Sequence, residues 1–125
     1  MKTLLVKIRI VSITATIGGV TCLLIAGAAR AASLSWGSTT AKTASVGNCL
    51  GFAKSAMQDL KFQNVRKSQD EVAGTSGGTC AAITCFATTP RATAIVMVVG
   101  EDGPETGRVR DSLRTRIAGI TSYSL

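Results

Sequence analysis

The side chains with the most chemistry in this sequence are four cysteines, at positions 22, 49, 80 and 85. Thiols can pair as disulfides, bind metal as thiolates or attack as nucleophiles. Histidine is absent from the whole chain, which excludes Ser-His-Asp and Cys-His catalysis and any metal site built on imidazole. A zinc site from Cys49, Cys80 and Cys85 would need both faces of one strand to converge on one ion, which alternation forbids without a bulge. No metal and no other cofactor is expected.

The remaining candidates are weaker. Asp70-Glu71 and Glu101-Asp102 are acidic pairs, but adjacent strand residues face opposite ways, and the second pair is explained by helix initiation. Gly74 to Thr79 is glycine-rich without the Gly-Lys-Ser/Thr ending of a phosphate cradle, and a strand follows it, so it reads as a turn. Arg108, Arg110, Arg114 and Arg116 are the densest positive feature. Arg110 and Arg114 share a helix face, Arg108 lies elsewhere, and Arg116 flanks the apolar stripe, while Glu105 and Asp111 are spaced to pair with Arg108. With no interleaved aromatic platform, a solvated helix face is expected and nucleic acid is not.

These groups sit behind an export address. Lys2, Lys7 and Arg9 precede an apolar run from Ile10 to Ala29, which ends in the small-residue site Ala29-Arg30-Ala31. Residues 1–31 are read as a cleaved signal peptide and 32–125 as one small domain, placed in the periplasm or outside the cell. An uncleaved anchor is the rival reading, since twenty residues can span a bilayer, but Ser12, Thr14, Thr16, Gly18, Gly19 and Thr21 dilute the run. Lipidation at Cys22 is disfavoured, because Gly19-Val20-Thr21 is a poor approach to a lipidated cysteine. Cys22 is expected to leave with the signal, and no stable membrane span is expected after cleavage. Cleavage removes four of the fourteen basic residues and none of the seven acidic ones, so most of the formal +7 belongs to the leader.

The downstream elements follow from periodicity. Ser33 to Gly37 alternates as a short strand or extended arm. Val46, Cys49, Leu50, Ala53, Met57 and Leu60 form a helical stripe over Val46 to Phe62. Asn64 to Ala73 reads as a polar edge strand, Gly74 to Gly78 as a hairpin turn, and Thr79 to Thr88 as the next strand. Ala92 to Gly100 is apolar on both parities and should be central. Asp102, Pro104 and Glu105 announce a last helix with Val109, Leu113, Ile117 and Ile120 as its stripe. The order β-α-β-β-β-α predicts an α+β, two-layer sandwich: an antiparallel sheet with both helices on one face.

On the strand from Thr79, Cys85 shares its face with Ala81 and Ile83, and Cys80 shares the other with Ala82 and Phe86. Ile83 reads as the core anchor. A Cys49–Cys85 disulfide is therefore expected in an oxidising compartment, against two buried free thiols otherwise. Cys80, on the uncovered face, either bridges a second molecule or packs as an inert thiol. That face also carries Ala82, Phe86 and one parity of the central strand. It needs a homodimer, an envelope protein partner, a hydrophobic ligand, or the Trp36 segment to cover it.

The helix cysteine, the glycine hairpin, Ala82-Ile83-Thr84-Cys85, and Val98 to Gly103 before an Arg/Leu-rich helix resemble a family of small secreted bacterial proteins of unknown function. The resemblance implies a sheet-and-helix domain, supports Cys85 as the partner of Cys49, treats Cys80 as additional, and carries no activity. The expected role is thus a noncatalytic exported domain that binds a protein or the envelope, with Cys80, Phe86, Arg110 and Arg114 as candidate surface residues. The alternatives are a module binding anionic polymer or lipid through the last helix and a small histidine-independent enzyme.

Overall fold

A computed structural model describes residues 32–121. The leader, its cleavage site and Cys22 lie outside the described residues. The elements run β1 (Ser33–Thr40), α1 (Val46–Asp59), β2 (Gln63–Lys67), β3 (Glu71–Ser76), β4 (Thr79–Phe86), β5 (Thr93–Gly100) and α2 (Gly103–Gly119). All strand pairs are antiparallel, in the order β1-β5-β4-β3-β2. Helix α2 lies over β1 and β5, and α1 lies over β2, β3 and β4, which gives the expected two-layer α+β architecture.

The sheet has one strand more than the pattern predicts. The stretch from Asn64 to Ala73 is not one strand but the β2–β3 hairpin, closed where the Ser68 N–H donates to the Glu71 carbonyl at 2.8 Å. Val65 and Val72 explain the fold-back. They are seven residues apart, so a single strand would send them to opposite faces, whereas a hairpin turns both toward the helices. Val72 is fully buried and Val65 packs against the core. Gly74 consequently lies within β3 and not in a turn. A Cβ there would stand 3.1 Å from the Met57 sulfur, so the missing side chain lets α1 settle onto the sheet. The turn itself falls at Gly77, with φ of 57°.

Helix α1 begins at Ser45, whose side chain accepts from the Asn48 N–H at 3.1 Å. It stops before Phe62. Lys61 adopts the left-handed region at φ 65°, and the Phe62 N–H closes back on the Met57 carbonyl at 2.9 Å. The start of α2 follows the sequence: Asp102 accepts from the Glu105 N–H, and Pro104 occupies the first turn. Thr106 is fully buried there, satisfied by Ser35 Oγ and the Gly103 carbonyl, each at 2.8 Å. Gly100 admits this close approach, since a Cβ would meet Thr106 Cγ2 at 3.0 Å.

The core fills the space between layers. Cys49, Leu50, Phe52, Ala53, Ala56 and Met57 come from α1, and Leu113 and Ile117 from α2. The sheet contributes Val72, Ala81, Ile83, Cys85, Ala94, Val96 and Val98. Strand β5 alternates strictly, with its even-numbered positions buried, and β4 is the middle strand.

Cys49 and Cys85 form a disulfide between α1 and β4, with their Cα atoms 6.2 Å apart at a sequence separation of 36. Closing a loop of that length removes about 4 kcal/mol of unfolded-chain entropy, a large share of the stability of a small domain. Replacing both residues in a Cys49→Ala/Cys85→Ala variant should lower the unfolding free energy by about that amount, read as a fall in the urea midpoint. A loss under about 1 kcal/mol would show that the bond does not clamp the layers.

Candidate functional site

Alternation that buries one side of the sheet under the helices turns the other side outward. The register aligns Leu34, Val99, Cys80 and Thr75 in one row across β1, β5, β4 and β3. Trp36, Met97, Ala82 and Ala73 form the next, then Ser38, Ile95, Thr84 and Glu71, and finally Thr40, Thr93 and Phe86. Four strands about 4.8 Å apart and eight residues of about 3.3 Å each frame a face of roughly 500 Å². Leu34, Trp36 and Phe86 are 60%, 63% and 46% exposed, and Ile95, Met97 and Val99 are half-buried.

The expected open face is thereby assigned. It takes the odd parity of β5, and it includes Ala82 and Phe86. Trp36 does not fold over the face; it is part of it, as the second outward residue of a longer β1 than the short alternation suggested. Leu34 was not singled out in the sequence, although its alternation with Ser33 and Ser35 was the signal.

Cys80 points from this face, yet it is only 3% exposed, while Ala82, two residues along on the same side of the same strand, is half-buried. It is not an inert thiol: Cys80 is disulfide-bonded, and no cysteine among the described residues is free.

Glu71 is the one charged side chain among the face positions of β1, β3, β4 and β5. Desolvation by burial, and secondarily the neighbouring charge of Asp70, pushes its carboxyl above the usual carboxylate range.

The arginines lie on the other side of the molecule, and each has a partner. Arg110 Nε donates to Asp111 at 2.9 Å, and Arg114 reaches the same carboxylate at 3.1 Å. Arg114 Nε also donates to the Ser38 carbonyl of β1 at 2.9 Å. The stems of both arginines run over Gly37, where a Cβ would come within 3.2 Å of either. Arg108 pairs with Glu105, and Arg116 lies 3.8 Å from Asp59. Asp111, spaced to reach Arg108, pairs instead with Arg110 and Arg114. The hydrogen bond from Arg110 holds the Asp111 carboxyl below its usual range, and the bond to Asp111 raises Arg110 in turn. Arg114 therefore ties α2 to β1.

An open groove of about 890 Å³ runs along α2 beside the C-terminal end of α1, lined by Asp59, Leu60, Arg108, Asp111 and Arg116 among others. Its aspartates are taken up by arginines. Among the described residues no group of three or more potential ligands is placed to hold a metal ion, and no helix is long and apolar enough to cross a membrane. No family model, curated protein or solved structure matches the chain.

Because burial raises the Glu71 carboxyl in the folded state, the native chain binds more protons than the unfolded one between the two titrations, and stability rises as pH falls through that window. Glu71→Gln should therefore unfold at higher urea concentration than wild type at pH 7. The advantage should vanish below about pH 4, where the unfolded glutamate is also protonated. An advantage unchanged by pH would contradict the desolvated placement.

Proposed function

We propose that this chain is an exported, noncatalytic binding domain, and that its working surface is the face of the sheet opposite α1 and α2. The observation that carries the reading is the exposure of Leu34, Trp36 and Phe86 on one nearly uncharged surface. Large apolar side chains exposed on one face cost free energy in water, and such faces mark interaction sites. Its occupant is a protein surface that is itself apolar and uncharged, either on a second copy or on an envelope protein. Trp36 and Phe86 serve as the large anchors, of the kind that dominate binding energy.

Location in the periplasm or outside the cell is supported by the Cys49–Cys85 disulfide, which persists where thiols are oxidised, and by the leader pattern. The polymer-binding alternative loses its support in the pairing of Arg110 and Arg114 with Asp111 and Ser38. These cations have little free potential to offer a distant anion.

The purified domain, immobilised and exposed to solubilised native envelope, separates the readings. Trp36→Ser/Phe86→Ser should reduce partner retention, or self-association measured by sedimentation, by at least about tenfold, as expected for the loss of two anchors. Arg110→Ala/Arg114→Ala should leave retention unchanged. Salt-sensitive retention on an anionic matrix that only the arginine variant abolishes would replace this reading with the polymer-binding one.

A further inference from the structure

The two edges of the sheet are built in opposite ways. β2 has five residues, carries Arg66 and Lys67, shifts register between Gln63 and Arg66, and holds Asn64 at φ 55°. Short length, charge and a bulge keep an edge from pairing with another chain. β1 has none of these: its eight residues carry no charge and no proline, and all of them stay in register with β5. Its backbone is also turned for pairing. The Ala41 N–H donates to the Ala92 carbonyl at 2.9 Å, which extends the β1–β5 register by one step and assigns the hydrogen bonds to β5 to the odd-numbered residues. The even-numbered residues therefore point their N–H and C=O groups out of the edge. The bond from Arg114 Nε to the Ser38 carbonyl reports the same direction. Among the described residues no hydrogen bond reaches the outward backbone groups of Leu34 and Trp36. We infer that β1 pairs with β1 of a second copy of this chain, antiparallel and two-fold, so that two sheets become one.

The register follows from which groups are free. With Leu34 opposite Trp36 of the second copy, each of the two symmetry-related pairs exchanges both its N–H···O bonds, and Arg114 keeps the Ser38 carbonyl. Setting Trp36 opposite itself would place Leu34 against Ser38 and compete for the carbonyl that Arg114 holds. The side chains agree with the first register. Leu34 and Trp36 become cross-strand neighbours on the open face, while Ser35, on the helix side with Thr106, meets its own copy where strands approach most closely and a small residue suits. An uncharged strand meets its like without repulsion, which favours a second copy over a foreign strand. The assembly also closes, because the two β1 edges are consumed and only the short, bulged, basic β2 edges stay outermost. Helix α2 lies over β5 as well as β1, so it stands inboard of the paired edge. The pairing uses the edge of the sheet and leaves the open face available, so it goes beyond the function proposed for that face.

Sedimentation and amide exchange of the exported, disulfide-intact protein test this. The chain should pass from monomer to dimer as concentration rises, with no larger species. The Leu34 and Trp36 amides should exchange at least about tenfold more slowly in the dimer, while the Arg66 amide on the opposite edge is unchanged. Leu34→Pro removes an outward donor without touching a bond to β5, so the domain should fold, keep its Cys49–Cys85 bond and dissociate at least about tenfold more readily. Leu34→Ser keeps the donor and should weaken the dimer less. Should Leu34→Pro misfold, seen as loss of that disulfide, the exchange of the wild-type amides still decides. A chain monomeric at every concentration, a dimer whose Leu34 and Trp36 amides exchange as in the monomer, or a Leu34→Pro dimer as tight as wild type overturns the pairing. A monomer that retains an envelope partner through Trp36 and Phe86 overturns the pairing alone and leaves the reading of the open face standing.

Discussion

Period-two alternation in the middle strand is the constraint on which the rest depends. Once Ile83 is buried beneath α1, Ala81 and Cys85 must follow it inward, and Cys80, Ala82 and Phe86 must point outward. That one choice brings Cys85 under Cys49, lets the disulfide tie α1 to the sheet, and propagates through the register to β5 and β1. A slip of one residue would reverse every assignment, exposing Val96 and Val98 and burying Met97. The disulfide makes the slipped register inaccessible, because it would carry Cys85 to the wrong face.

The same constraint sets the asymmetry of the molecule. Two helices have enough apolar side chains for one side of the sheet, and the leftover hydrophobes of β5 and β1 gather on the other. The helix side spends its polar groups internally: Thr106 on Ser35, Arg114 on Ser38, and Asp111 on two arginines. The open side has little polarity to satisfy, and Glu71 is pushed toward neutrality there.

Much of this was legible in the residues, for identifiable reasons. The stripe of α1, the capping of α2 by Asp102 and Pro104, and the double-sided apolarity of β5 are local signals that tertiary packing reinforced. The parity argument from Ile83 reached the Cys49–Cys85 pair without any knowledge of distance. The β2–β3 hairpin was missed because its turn, Ser68 to Asp70, contains no glycine or proline, while Gly74, which resembles a turn residue, serves helix packing. The role of Arg114 was hidden because a helical projection does not show that β1 runs beneath it.

The central claim is that the sheet face opposite α1 and α2, and not the basic helix, meets the partner. Placing a photo-crosslinking amino acid at position 36 and, separately, at position 108 in producing cells puts the question directly, since one lies on the open sheet and the other on the exposed side of α2. Irradiation should yield a discrete crosslinked species from position 36 and none from position 108. Adducts from position 108 with none from position 36 would contradict the account.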